Sequence, residues 1–124
     1  MGKSVHNDVL DAALQYIEDN ATELVICSAE PTTYTEAHTT YALGDKAAPT
    51  FTGPAEGDVS GRKTTVDAVA GATVDASGTA SHVALTNIAG VKLLYVTTIS
   101  APQAVVAGNT FNLAAWDIEI LDPA

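Results

Sequence analysis

Few side chains of the 124-residue sequence stand at spacings that acid–base or metal chemistry uses. The three histidines, His6, His38 and His82, fall in three separate predicted elements, without the HxH or HExxH spacing of a zinc site. His82 follows Ser81, but no GxSxG turn surrounds that serine, so a nucleophile–base pair is not favoured. We interpret His82 as a residue on a sheet face or at a subunit contact.

The acidic residues offer no clearer site. Asp117 and Glu119 stand two residues apart, as a glycosidase pair can, but the aromatic fraction of 6% is too low for a sugar cleft. A solvated outer strand face is the better interpretation. Asp45, Asp58 and Asp75 lie in predicted turns and bring too few oxygens together for calcium. The sequence therefore predicts no enzyme activity, no catalytic residue, no metal and no cofactor.

Two basic and two aromatic residues are candidates for binding. Arg62 and Lys63 are adjacent, and we interpret them as guards of an edge strand, or alternatively as contacts to an acidic partner. Trp116 and Tyr95 are interpreted as anchors of the core or of an interface, with sugar stacking as the alternative.

Composition excludes several classes of function. The formal net charge is −10, which argues against nucleic acid and against an anionic membrane surface as partners. The hydrophobic fraction of 47% is enough for one core, so a single domain over residues 1–124 is predicted. No apolar stretch approaches the roughly 18 residues of a membrane span. Cys27 lies in an apolar run and is predicted to be buried and inert.

An amphipathic helix is predicted over residues 5–20, within an N-terminal segment 1–21. Asn7 is its expected N-cap, and Leu10, Leu14 and Ile17 form an apolar stripe at helical spacing. That stripe should pack on the chain's own sheet or on a neighbouring subunit.

The segment 22–49 is predicted to be a strand followed by a long ordered loop. The strand covers residues 22–28, and the loop, 29–49, has Tyr34 and Tyr41 to bury. Thr33 and Glu36 have the spacing of a capping box, which predicts one short helical turn inside the loop.

Residues 50–124 alternate apolar runs with turn residues at short intervals, which predicts an antiparallel β body. The longest strand should run from Val91 to Ser100 and end before Pro102, and one closing strand is expected over Thr110–Leu121. The predicted fold is mainly β: an antiparallel sandwich or jelly-roll-like barrel with one N-terminal amphipathic α-helix.

Several strings in the sequence resemble small structural proteins of tailed bacteriophages and prophages. The resemblance covers nearly the whole chain and is carried by these strings: His6 to Leu14, Ile26 to Tyr34, Gly57 to Lys63, His82 to Leu85, and Ala114 to Ile120. Small β-rich members of this group decorate the phage head as cement proteins, and others belong to the tail.

The resemblance implies a virion protein that binds the major capsid protein on the outer head surface and stabilises the shell. It also implies self-association, as a homotrimer, and no enzyme activity. The alternative is a tail or receptor-binding module that recognises a host surface glycan. The residues predicted to contact the capsid or another subunit are Leu10, Leu14, Ile17, Tyr34, Tyr41, Arg62 and Lys63.

Overall fold

The computed structural model describes residues 5–121, which form two compact units. The first unit holds residues 5–19, 50–68 and 114–121, and the second holds 20–49 and 69–113. Residues 1–4 and 122–124, part of the predicted helical segment 1–21 and of the predicted β body, lie outside the described residues. A single domain over the whole chain stays a prediction.

The fold is mainly β, with several antiparallel sheets and one N-terminal α-helix, as predicted. The sheets are open, consistent with a sandwich, and no barrel closes within residues 5–121. In chain order the elements are α1 (Asn7–Asn20), β1 (Glu23–Cys27), a π-helical turn (Glu36–Thr40), β2 (Ala42–Ala47), β3 (Phe51–Glu56), β4 (Arg62–Val66), β5 (Val69–Thr73), β6 (Gly78–Asn87), β7 (Lys92–Val105), β8 (Thr110–Leu113) and β9 (Trp116–Ile120).

The N-cap of helix α1 lies one residue before the predicted one. The Nδ1 atom of His6 accepts the backbone N–H of Asp8 at 3.0 Å, and the His6 carbonyl accepts that of Val9 at 3.0 Å. His6 is therefore the N-cap, and the prediction of Asn7 was wrong, because a histidine ring nitrogen supplied the acceptor that the asparagine was expected to supply.

The apolar stripe of α1 packs within the chain. Leu10 and Leu14 are buried, and Ile17 is half-buried. On either side of Leu14, Asp11 accepts a bond from Arg62 on β4 and Glu18 is hydrogen-bonded to Thr64 on β4. These contacts place α1 along β4, so its stripe needs no neighbouring subunit to cover it.

The first unit contains a three-stranded antiparallel sheet in the order β3-β4-β9. Strand β4 is its central strand, which overturns the edge-guard interpretation of Arg62 and Lys63. Side chains alternate between the two faces of this sheet, and Thr64, Val66 and Ile118 are buried on one of them. The other face carries the polar side chains of Lys63 and its neighbours on β9.

The second unit contains a four-stranded sheet in the order β2-β1-β6-β7 and a ribbon of β5 and β8. All five residues of the central strand β1 are buried. The predicted loop 29–49 is only partly a loop, since it contains the π-helical turn and β2. Half of the predicted capping box is present: Thr33 Oγ1 accepts the N–H of Glu36 at 3.1 Å, whereas the Glu36 carboxylate accepts the N–H of Thr32 at 2.8 Å and not that of Thr33.

The π-helical turn covers one face of the four-stranded sheet. Its Ala37 joins a buried cluster with Val25, Cys27 and Ala84, and the ring of Tyr41 packs against that cluster. Cys27 is fully buried, and burial, followed by the charge of Glu23, raises the pKa of its thiol to about 12. The prediction that Cys27 is buried is confirmed, and the raised pKa is what an unreactive thiol would have.

Two strand predictions fail at the C-terminal half. Strand β7 continues past Pro102 to Val105, because an edge strand tolerates a residue without an N–H group and the β6–β7 register shifts beside Ala80. The single closing strand over Thr110–Leu121 is two strands: β8 pairs with β5 in the second unit, and β9 pairs with β4 in the first.

Candidate interaction surface

The histidine–serine pair is present in the structure but lacks the parts of a catalytic group. Ser81 Oγ lies 2.8 Å from His82 Nδ1. In catalytic pairs a third group, commonly a carboxylate, orients the histidine. No carboxylate is hydrogen-bonded to His82 within residues 5–121. The contact between these sequence neighbours is a local one, which agrees with the interpretation of His82 as a sheet residue.

Arg62 and Lys63 each face two carboxylates of the first unit. Arg62 Nε is 2.7 Å from Asp11 Oδ1, and its Nη1 is 2.9 Å from Glu56 Oε1. Lys63 Nζ is 2.7 Å from Asp58 Oδ1 and 3.2 Å from Asp117 Oδ2. The hydrogen bonds to these carboxylates raise the pKa of both basic groups. These cations thus hold their own unit together, which leaves them poorly placed to attract an acidic partner.

The polar face of the three-stranded sheet is a connected hydrogen-bond network. Thr65 Oγ1 donates to Asp117 Oδ1 at 2.7 Å, and the Glu119 carboxylate accepts the N–H groups of Asp58 and Val59. The bond from Thr65, together with that from Lys63, holds the pKa of Asp117 below its usual 3.8. Asp117 and Glu119 therefore serve the sheet and its loop, in agreement with the outer-face interpretation.

This lowered pKa predicts an acid-sensitive contribution to stability. Because the folded pKa of Asp117 is depressed, its contribution is complete above the unfolded value of 3.8 and is lost as the pH falls through the folded value. Thr65→Val should lower the free energy of unfolding by about 1 kcal/mol at pH 7, and this difference should fade below about pH 3. Urea unfolding at a series of pH values measures it. Thr97→Val, at another half-buried strand threonine, is the control, and a pH-independent loss in Thr65→Val would contradict the prediction.

A second polar pair is buried beneath the π-helical turn. The side chain of Glu23 is 6% exposed, lies 2.8 Å from His38 Nδ1 and accepts a bond from Thr86 Oγ1 at 3.0 Å. The ring of Tyr34 stacks on His38 with centroids 5.1 Å apart. The pair ties the turn to β1 and β6, and this explains the half-buried positions of Tyr34 and Tyr41.

The seven residues predicted to contact a partner are thus engaged in the protein's own fold. None of them has an exposed side chain: two are buried and five are half-buried, namely Leu10, Leu14, Ile17, Tyr34, Tyr41, Arg62 and Lys63. Their contact with a capsid or subunit stays a prediction, and the candidate surface described next does not use them. Among residues 5–121, no group of three or more His, Cys, Asp or Glu side chains could hold a metal ion.

Charge is segregated along the chain. Residues 76–116 contain no Asp or Glu and a single Lys, Lys92, although the whole chain carries 15 acidic residues. This stretch forms β6, β7 and β8. This distribution of charge can be read from the sequence, although no motif marks it. We call β6, the turn 88–91 and β7 the neutral ribbon.

The turn of the neutral ribbon presents apolar side chains to solvent. Ile88 is 45% exposed and Val91 is 63% exposed. Val91 also has a positive φ of 53°, which a β-branched residue rarely adopts. The turn is held by the Asn87 side chain, which accepts the N–H of Gly90 at 2.8 Å. Strained positions persist where structure or function requires them, so this apolar turn, residues 88–91, is the candidate contact point.

Comparisons with known proteins add no assignment. The chain matches no family model, and no curated protein or solved structure matches it significantly. No helix of the described part of the chain is long and apolar enough to cross a membrane.

Proposed function

We propose that this protein is a virion structural protein of a tailed phage, a capsid decoration (cement) protein that binds the outer surface of the head and stabilises it. The observation that carries the proposal is the neutral ribbon with its exposed apolar turn, in a chain of net charge −10. The resemblance of the sequence to small phage structural proteins supports the same conclusion.

The composition of the neutral ribbon suits the core of a protein–protein contact. Interface cores are depleted of charged residues, because burying a charge is costly unless it is paired. Ile88 and Val91 can enter an apolar depression on a shell protein without burying any ionised group. The acidic remainder of the chain stays in water, where it favours solubility before assembly.

The chemistry of the described residues supports a binding role. Cys27 has a raised pKa, the Glu23–His38 pair holds the π-helical turn, and Lys63 is held between Asp58 and Asp117. Each of these groups has a structural partner that accounts for it. A cement protein needs a firm body and a contact surface and no reacting group.

The contact of one copy should be weak. Burying an Ile or Val side chain contributes about 1.5–3 kcal/mol, so the apolar turn contributes only a few kcal/mol before the cost of association. A decoration protein can compensate by binding as an oligomer, since linked contacts raise the overall affinity by about 10²–10⁴. Self-association is therefore part of the proposal, and the homotrimer stays an expectation drawn from the resemblance alone.

The test is cosedimentation of the purified protein with empty capsids of its phage, with detached tails as the control particle. Wild-type protein should bind capsids saturably, at a fixed ratio to the major capsid protein. Val91→Asp should weaken capsid binding at least about tenfold, because it sets a charge into the apolar contact. The variant should fold normally, since Asp tolerates the left-handed conformation of residue 91 better than Val does.

Val9→Asp is the matched control. Val9 is 59% exposed, similar to Val91, and stands in the first turn of α1, where an acid suits the helix dipole. It should leave capsid binding unchanged. Capsid binding that is equal in both variants would refute the proposed surface, and binding to neither particle would refute the virion function.

Binding to tails alone would favour the alternative, a receptor-binding module for a host glycan. Its candidate stacking residues, Tyr95 and Trp116, are both half-buried. The indole Nε1 of Trp116 is buried and has no hydrogen-bond partner among the described residues. These positions offer no exposed aromatic platform, and for this reason the decoration function is preferred.

A further inference from the structure

We propose that two copies of this protein pair through the outer edge of β7, antiparallel and across a two-fold axis near Val96, so that two four-stranded sheets join into one. The inference goes beyond the proposed function, because it assigns the self-association surface and its symmetry. Its test is the mass of the purified protein, which does not depend on whether the protein binds capsids.

The first observation is that the two edges of the four-stranded sheet differ. At the β2 edge, Gly44 forms a bridge with Val74, and the Leu43 carbonyl accepts the N–H groups of Asp75 at 2.7 Å and Ala76 at 3.0 Å. That edge is therefore covered. Strand β7 pairs with β6 and, within residues 5–121, with no other strand. An open edge presents unpaired N–H and C=O groups that a further strand can bond.

The second observation is the side-chain pattern of β7. The consecutive residues Leu93, Leu94, Tyr95 and Val96 are apolar and all half-buried. Tyr95 and Val96 lie in one continuous register and point to opposite faces of the sheet, so both faces of β7 are apolar here. A strand that is apolar on both faces is typical of a sheet interior. Strand β7 lies at the edge of its sheet but has the composition of a central strand. A further strand paired with its open edge would place it in the sheet interior.

The third observation is electrostatic and points to a second copy as the occupant. Most faces of a chain with net charge −10 repel a second copy, but the neutral ribbon contains no acidic residue. Its one charged side chain, that of Lys92, lies four residues from Val96. In antiparallel pairing the two Lys92 residues would be eight residues apart, about 27 Å, so they would not oppose each other.

The irregularities of β7 restrict where the pairing can occur. Tyr95 to Thr98 pair with β6 in one continuous register, while the register shifts on both sides of this stretch, and Pro102 follows. Bulges and proline hinder edge pairing. The window left is residues 95–98, which places the two-fold axis on Val96 or Thr97.

The four-stranded sheet has one open edge per copy, and this determines how that sheet can pair with its copy. A surface that pairs with itself gives a closed pair of two copies, whereas a ring of three needs two different complementary surfaces. Because the β2 edge is covered, edge pairing gives a dimer and not the homotrimer that the resemblance implies. The mass of the assembly therefore tests the inference directly.

Sedimentation equilibrium of the purified full-length chain measures that mass. The wild-type protein should have twice the mass of the 12.7 kDa chain at micromolar concentration. Thr98→Glu places a carboxylate on exposed strand residue 98, opposite the apolar Leu94 or Val96 of the second copy, and should raise the dimer dissociation constant at least about tenfold. Thr79→Glu, at an exposed threonine of β6 outside the window, should leave the mass unchanged. A monomeric or trimeric wild type, or a Thr98→Glu protein that is as dimeric as Thr79→Glu, would overturn the proposal.

A cross-linking experiment tests the register without weakening the dimer. Cysteine is introduced at Val96 or at Thr97, and the residue on the axis should form a disulfide-linked dimer under mild oxidation, because only that residue faces its own copy. The native Cys27 is buried and should not compete. Thr79→Cys is the control. Failure of both positions to cross-link, or equal cross-linking of the control, would refute the pairing.

Discussion

Gly61→Ala is expected to lower the free energy of unfolding by about 2–5 kcal/mol. Gly61 has a φ of 69°, in the left-handed region, which costs an L-residue about 1–2 kcal/mol. A Cβ at this position would also collide with the carbonyl oxygen of Ile120 on β9. Relief requires a backbone shift where Arg62 pairs with Ile120, and strain of this kind costs about 1–3 kcal/mol more. Urea or thermal unfolding measures the loss.

Gly71→Ala is the matched control for that prediction. Gly71 also has a φ of 69°, but no atom lies within 4 Å of where its Cβ would stand. It should therefore lose only the conformational term, about 1–2 kcal/mol. Equal losses in the two variants would show that the approach of β9 to Gly61 contributes nothing.

The close approach of Gly61 to β9 depends on the strand order of the first unit, which the sequence predicts only in part. The short apolar runs in residues 50–124 predicted antiparallel strands, because the two-residue period is local, but they merged β8 and β9 into one strand over Thr110–Leu121. The order β3-β4-β9 was not predictable in this way, since it depends on which distant strands pair. Arg62 and Lys63 were assigned to an edge for that reason, and they lie on the central strand.

The segment 29–49 shows the same division. The spacing of Thr33 and Glu36 predicted a helical turn, and the hydrogen bonds of that turn are present. Strand β2 was missed, because its residues Ala42–Ala47 contain Gly44, Asp45 and Lys46, which are unfavourable in strands. Pairing with the buried strand β1 outweighs that propensity.

Of the candidate surface, too, the sequence predicts the local features and misses those that depend on distant strand pairing. The absence of acidic residues from 76–116 can be read from the sequence alone. The open edge of β7 cannot be, because it follows from the sheet order and from the bonds that cover β2. The contact residues predicted from apolar periodicity, Leu10 and Leu14, are buried, since periodicity predicts burial without saying against what.

The Glu23–His38 pair could not be predicted from the sequence, because the two residues lie 15 positions apart in different elements. Its loss should have a large effect on the free energy of unfolding. His38→Ala removes the partner that lies 2.8 Å from a carboxylate that is 6% exposed. Removing one hydrogen-bond partner of a buried charged group costs about 1–3 kcal/mol or somewhat more, so His38→Ala should lower the free energy of unfolding by about 2–3 kcal/mol. His82→Ala is the control, because His82 is also half-buried but is bonded only to its neighbour Ser81; it should lose about 1 kcal/mol or less.

A double-variant cycle separates the lost hydrogen bond to the buried carboxylate from simple loss of packing. Glu23→Gln keeps an acceptor for Thr86 Oγ1 but carries no charge, so the loss of its second hydrogen-bond partner costs less. In the Glu23→Gln background, His38→Ala should therefore cost about 1 kcal/mol less than it does in the wild type. If His38→Ala costs the same in both backgrounds, the histidine acts only by packing against Tyr34. A smaller cost beside the glutamine would show that the buried charge holds the π-helical turn on β1.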